Sequence, residues 1–238
     1  KHVGVELEII TKVDNRTLAE ELALAKLKDN VRITTDGSIE NGYDEEGLEL
    51  RVIAPETDIY EVINKICFIL KKMKCKVNSS CGLHVHLDMR SRKAEDSFKR
   101  LVNKLPELKK LVKKSRLNND YCKENYCNDL NLIQNQLDDV YDDDVYDGDL
   151  YDDGDESNTK YKTRITKVLK DKFDKISKSL ERKVKVRERD LNRYLAINPH
   201  ALENHKTIEV RLHEGCIEEE KINNWIKTLI TTVDGKVT

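Results

Sequence analysis

His84, His86 and Asp88 stand two residues apart in Cys81-Gly82-Leu83-His84-Val85-His86-Leu87-Asp88, with an apolar residue in each gap. On a β-strand successive side chains point to opposite faces, so both imidazoles and the carboxylate share one face and Leu83, Val85 and Leu87 share the other. The alternation returns in Val5-Glu6-Leu7-Glu8-Ile9, in Leu48-Glu49-Leu50-Arg51-Val52 and in Ile208-Glu209-Val210-Arg211-Leu212-His213. Four separated strands therefore offer Glu6, Glu8, Glu49, Arg51, His84, His86, Asp88, Glu209, Arg211 and His213 on faces of the same polar kind.

Gathering so many acids has a cost. Residues i and i+2 on a strand lie about 7 Å apart, so Glu6 and Glu8 repel by about 2 kcal/mol at an effective dielectric near 20. Adding Glu49, Glu209 and Asp88 makes the face unfavourable unless cations or arginines sit among the acids. Magnesium and manganese take oxygen ligands and keep positions for phosphate oxygens, which suits a carboxylate-rich cluster with an imidazole. Each motif alone has a plainer meaning. An E-x-E strand is usually a solvated sheet face, an H-x-H pair that binds metal more often takes zinc, and E-x-R makes a modest ion pair. Only the four strands together argue for a cation and phosphate site.

The elements that must position this face follow from periodicity. A strand is expected from His2 to Ile10. Thr17-Leu18-Ala19-Glu20 has the pattern of a capping box opening a helix to about Lys28. Val31 to Thr35 suits a short strand, Asp36-Gly37-Ser38 a turn, and the segment between Asn41-Gly42 and Glu46-Gly47 a loop before the strand of Glu49 and Arg51. Ile59, Val62, Ile63, Ile66, Ile69, Leu70 and Met73 fall at helical spacing after Asp58, giving a helix that lies on the apolar backs of the strands. After the histidine strand a helix is expected from Lys93 to Lys114, broken or bent at Pro106. Another is expected from Lys160 to about Arg182. Strands at Arg193 to Asn198 and Thr207 to His213 are joined by a hairpin loop, and a last helix runs from Glu218 to Val233.

The chain has 238 residues, enough for one large domain or two small ones with a real core, and 37% of them are charged against a usual share of about 25%. Its net charge of -2 conceals an asymmetry. Asp138 to Glu156 holds eleven acids and no Lys or Arg, leaving 43 basic residues against 34 acids elsewhere, a net of +9. A basic body fits anionic ligands such as nucleotides, and equally a plain lysine-covered surface. Residues 118–159, rich in Asn, Asp and Tyr with an imperfect Tyr-Asp repeat, read as a disordered acidic insertion in a single domain spanning 1–238. EF-hand spacing is absent there. Six cysteines without a C-x-x-C pair, no signal peptide and no apolar run of about 18 residues lead to the expectation of free thiols and a cytoplasmic protein.

The order of the motifs, E-x-E, then G-x-E-x-R, then Gly82-Leu83-His84-Val85-His86, then Asn198-Pro199 and Thr207-Ile208-Glu209-Val210-Arg211, resembles the small amidoligases of the glutamine synthetase and glutamate-cysteine ligase superfamily. The likeness runs from Val3 to about Trp225, outside the acidic insertion. It implies an α+β, glutamine synthetase-like catalytic domain: an antiparallel curved sheet with helices on its apolar face, whose concave polar face binds ATP and two or three ions of Mg2+ or Mn2+. Such enzymes phosphorylate a carboxylate with ATP and let an amine displace the phosphate, on a peptide, an amino acid or a protein.

By the same resemblance Glu6, His84 and Glu209 are ligands of the metal that bridges the nucleotide phosphates. Glu8 and Glu49 hold the metal near the carboxylate, Arg211 steadies the transferred phosphoryl group, and His86, Arg51, Arg193 and Asn198 lie near nucleotide or substrate. Asp36 matches only loosely an acid that follows a strand in these proteins. The chain is far shorter than a glutamine synthetase and lacks an ammonium site, so glutamine synthesis is not expected. No glycine-rich phosphate loop is present. Two other functions stay open on the sequence: a zinc hydrolase built on His84 and His86, and an inactive module with a basic surface for nucleic acid, against which stands the lack of aromatic residues among the lysines.

Overall fold

The computed structural model describes residues 1–117, 195–199 and 201–236. They form an α+β arrangement around one six-stranded antiparallel sheet. The strands are β1 (His2–Thr11), β2 (Val31–Thr35), β3 (Glu46–Pro55), β4 (Gly82–Asp88), β5 (Ile197–Asn198) and β6 (Thr207–Glu214), in the spatial order β2-β3-β1-β4-β6-β5. The helices are α1 (Asn15–Leu24), α2 (Ile59–Lys72), α3 (Ala94–Leu108), the short α4 (Lys114–Leu117) and α5 (Ala201–His205), and α6 (Glu219–Val233).

Register follows from burial. Val3, Val5, Leu7 and Ile9 of the central strand β1 are each at most 1% exposed. A slip of one residue would turn all four to the polar face and lose about 6 kcal/mol or more. The apolar layer is completed by Ile59, Ile63, Ile66 and Leu70 of α2, Phe98, Leu101 and Val102 of α3, and Ile222, Trp225, Ile226 and Leu229 of α6, all buried. Helix α6 packs against both α2 and α3, so these three helices form one layer behind the sheet.

Four local expectations change. Helix α1 starts earlier, because Asp14 and not Thr17 is its N-cap: the Asp14 carboxylate accepts from the Thr17 backbone N–H at 2.9 Å and from its hydroxyl at 2.8 Å. It also stops earlier, at Leu24, where Lys26 takes a positive φ of 61° and the Lys26 and Leu27 N–H groups bond back to Ala23 and Leu22. Helix α3 runs through Pro106 to Leu108 and then tightens into a 3-10 turn at Lys109–Leu111, so the proline lies close to the end of the helix and does not divide it. The stretch between β5 and β6 is more than a hairpin loop, since it contains α5. Of the described residues in the strand expected from Arg193, those from 195 onward, Ile197–Asn198 are strand. Arg193 itself, the acidic insertion 118–159 and the helix expected from Lys160 lie outside the described residues.

The strand pairing also corrects the place of His213. Between β4 and β6 the register passes from Leu83↔His213 to Val85↔Val210, so Arg211 and Leu212 together oppose the single residue His84. This β-bulge turns His213 to the face of Leu83, where its ring lies 5.1 Å from that of Trp225 and burial lowers its pKa. His213 therefore belongs to the packed layer. Asp88 stays at the end of β4, where its carboxylate accepts from the N–H groups of His2 and Arg90.

Arg92 ties the strand ends to the end of α6. Its guanidinium donates to Asp234 at 2.8 Å, to Glu56 at 2.5 Å and to the Asp88 carbonyl at 3.0 Å. Arg92→Met takes the bonded arginine from Glu56 and leaves Asp234, among the described residues, with only the longer contacts to Lys1 and Lys236 at 3.4 and 3.6 Å, and is expected to cost about 3 kcal/mol in urea unfolding at pH 7. Burial alone would raise the Asp234 pKa, but the bond and charge from Arg92 outweigh it and hold the group low. The wild-type advantage tied to Asp234 is thus present above the unfolded carboxylate value near 4 and is lost as pH falls through the lower folded value. The stability gap to the variant should narrow over that range.

The four described cysteines, Cys67, Cys75, Cys81 and Cys216, are buried free thiols, and burial pushes that of Cys67 up to about 12. Among the described residues no helix is long and apolar enough to cross a membrane.

Candidate functional site

Pairing places the polar side chains in rows across the sheet. Arg51 on β3, Glu6 on β1 and His84 on β4 are direct neighbours, Glu8 opposes Glu49, and His86 opposes both Gly4 and Glu209. Asn198 on β5 opposes Glu209 in turn. Gly4 eases this pairing, since a Cβ at that position would lie 3.1 Å from the Cβ of His86, which would have to give by a few tenths of an ångström. Five strands thus bring to one face Glu6, Glu8, Glu49, Arg51, His84, His86, Asn198, Glu209 and Arg211.

Glu6 is at the centre. Its Oε2 accepts from His84 Nδ1 at 2.9 Å, and its Oε1 lies 3.3 Å from His86 Nε2. Burial would raise the Glu6 pKa, but the hydrogen bonds and charges of the two histidines overcome it and hold the carboxyl far below the usual range. His86 shows the converse balance: burial works against its charge, yet the bond from Glu6 and the charges of Glu209 and Glu6 raise its pKa.

Glu209 is gripped from two sides. Asn198 Nδ2 donates to its Oε2 at 2.7 Å and Arg211 Nη1 to its Oε1 at 2.5 Å, while His84 Nδ1 and His86 Nε2 lie 3.6 and 4.0 Å from Oε1. Glu8 accepts from the Gly82 backbone N–H at 2.6 Å. Glu49 accepts from Arg51, but burial and the charge of Glu6 still raise its pKa. An acid strained in this way is one that a bound cation would relieve.

Among the described residues two sets of ligand atoms are close enough to hold a metal ion, each with all its atoms within 4.8 Å of one another: Glu6, His86 and Glu209, and Glu8, Asp36 and Glu49. The donors are five carboxylates and one imidazole, a set that fits magnesium or manganese better than zinc. The acids expected for two separate metals fall into two separate sets. The imidazole in the first set is His86, whereas His84 lies between Glu6, Glu8 and Glu209. Asp36, only loosely matched in sequence, completes the second set from the turn after β2, where its carboxylate also accepts from the Ser38 N–H and hydroxyl at 2.8 and 2.6 Å.

Arg116 was not visible to sequence reasoning at all. It sits on the four-residue α4 with no motif around it, yet it is 2% exposed and its Nη2 lies 3.4 Å from His84 Nε2. A Cβ on Gly82 would fall 2.4 Å from Arg116 Nη2 and 2.8 Å from His84 Nε2. Gly82→Ala is accordingly expected to lose about 1–3 kcal/mol of stability by overpacking, read as a lower urea midpoint at unchanged m-value.

The chain belongs to the family described as "Putative amidoligase enzyme", whose model matches residues 1–233. The family name denotes enzymes that form amide bonds. No curated protein and no solved structure matches the chain.

Proposed function

We propose that this protein is an ATP-dependent carboxylate-amine ligase with a glutamine synthetase-like sheet, joining an amine to the carboxylate of a peptide, an amino acid or a protein through an acyl phosphate. The observation that carries the reading is the convergence of Glu6, Glu8, Asp36, Glu49 and Glu209 with His86 and Arg211 on one sheet face, in a member of an amidoligase family. Glu6, His86 and Glu209, and Glu8, Asp36 and Glu49, would hold Mg2+ or Mn2+, which would supply charge neutralisation for a phosphorylated substrate.

The chain's own groups do the rest. Arg211 stabilises the negative charge spread over the transferred phosphoryl oxygens, and Glu209 and the bulge hold its guanidinium in place. Asn198 fixes Glu209 by its second oxygen, so that the carboxylate cannot rotate away. Arg51, with its side chain 59% exposed at the rim, has the reach to meet a nucleotide or substrate anion. His86 donates or accepts at Nδ1 with the Thr207 hydroxyl at 3.0 Å, which orients its Nε2 toward Glu6 and Glu209.

Hydroxylamine tests the reaction without knowledge of the natural amine, because it converts an acyl phosphate into a stable hydroxamate. With ATP, Mg2+, hydroxylamine and a panel of amino acids and peptides, the protein is expected to give hydroxamate and inorganic phosphate in equal amounts. Turnover that needs zinc and proceeds without ATP would replace this reading with a hydrolase built on His84 and His86.

A further inference from the structure

We infer that Arg116 is a positioning residue for Arg211: it holds the carbonyl that the β6 bulge turns out of the ladder, and so keeps the Arg211 guanidinium aimed along the polar face beside Glu209. The inference deepens the ligase reading and rests on it for its effect on turnover, though not for its geometry. Three observations on separate elements carry it.

The first is the backbone of Arg211. In a regular antiparallel strand the N–H and the carbonyl of one residue face the same neighbouring strand. At Arg211 they part. The N–H donates to the Ala196 carbonyl, on the side of β5, at 2.8 Å, whereas the carbonyl accepts at 3.2 Å from Arg116 Nη2, which lies over Gly82 of β4. The parting falls where Arg211 and Leu212 together oppose His84, so it belongs to the bulge. Arg211 is buried, and a buried carbonyl turned out of its ladder needs another donor.

The second is the slot that admits this donor. Arg116 is itself buried, and a Cβ on Gly82 would fall 2.4 Å from its Nη2 and 3.1 Å from its Cζ. The guanidinium reaches the Arg211 carbonyl along this path only while residue 82 has no side chain. The third is the far end of Arg211. Its Nη1 donates to Glu209 Oε1, and Asn198 of β5 holds the other oxygen of that carboxylate. The two ends of Arg211 are thus fixed by different elements, its guanidinium through β5 and β6 and its carbonyl by α4. A bulge re-aims a side chain, and the aim is kept only while the displaced backbone is held. Without Arg116 the bulge is free to relax, and the guanidinium that faces the transferred phosphoryl group loses its fixed direction.

A double-mutant cycle in the hydroxamate assay tests this. Arg116→Met is expected to lower kcat by about tenfold with KM for ATP within about twofold of wild type. In an Arg211→Met background the same substitution should cost less than about twofold, because no guanidinium is left to aim. An equal loss in both backgrounds would make Arg116 a general structural residue and overturn the inference. Gly82→Ala, which keeps the arginine in the chain but fills its slot, should behave as Arg116→Met does. Nitrogen-15 spectra of arginine-labelled protein, free of metal and nucleotide, give a readout apart from activity. The side-chain signals of Arg211, identified by their loss in Arg211→Met, should be resolved in wild type and averaged by exchange in Arg116→Met and in Gly82→Ala. Unaltered Arg211 signals in whichever of these variants folds would overturn the inference, as would a wild-type crystal structure with the Arg116 guanidinium outside the slot. Wild-type protein that forms no hydroxamate would sink the ligase reading, while the Arg211 signals would still decide the role of Arg116.

Discussion

Glu6→Gln is expected to lower ATP-dependent hydroxamate formation by about 10³-fold, equivalent to about 4 kcal/mol, and to weaken Mn2+ binding by about two orders of magnitude. Glu6 meets both imidazoles at shorter range than Glu209 does, and it shares a cation site with Glu209. The glutamine carbonyl can still accept from His84 Nδ1, so the sheet should keep its packing. What disappears is the charge. The loss should therefore appear in metal titration and turnover, while the urea midpoint of the metal-free protein at pH 7 should fall modestly, because the two imidazoles that hold the Glu6 carboxyl ionised lose their charged partner. A variant that unfolds would assign Glu6 a structural role, and a folded variant with full turnover would remove it from the site.

Arg211→Met should reduce turnover by about 10²–10³-fold with a smaller effect on Mn2+ affinity. The guanidinium is placed by the bulge on β6 and by its 2.5 Å bond to Glu209, and the charge it offers is fixed before substrate arrives. Arg211→Lys keeps the charge but not the planar pair of donors, and is expected to recover no more than about a tenth of the lost rate. Steady-state kinetics separate the two roles. A fall in kcat with KM for ATP nearly unchanged marks stabilisation of the transferring phosphoryl group, whereas a rise in KM alone would make Arg211 a ground-state binding residue.

The strands carrying Glu6, Glu8, Glu49, His84, His86 and Glu209 were legible because a half-buried strand writes its two faces directly into the order of residues. Helices α2 and α6 were legible for the same reason at a period of 3.6. What the chain does not write locally is how neighbouring strands pair. The bulge that turns His213 onto Trp225 inserts one residue on β6 relative to β4, and no residue type within Ile208 to His213 announces it. Asp36 was harder for another reason. It stands in a turn, where its likeness to any Asp-Gly-Ser turn hides that the β2–β3 connection folds it toward Glu8 and Glu49.

Arg116 had no local signature, being brought to His84 by the third dimension through a glycine 34 positions earlier. The helix boundaries erred where two capping patterns overlapped. Thr17 with Glu20 competed with Asp14 with Thr17, and the stronger acceptor, the carboxylate, prevailed.

Diffraction from crystals grown with Mn2+ and a non-hydrolysable ATP analogue tests the central claim most directly, because manganese is located by its anomalous scattering independently of the protein phases. The account predicts manganese at Glu6, His86 and Glu209 and at Glu8, Asp36 and Glu49, with the triphosphate lying over β1 and β6 within reach of Arg211. A nucleotide bound elsewhere with the acidic face free of manganese, or a single zinc ion held by His84 and His86 together, would contradict it.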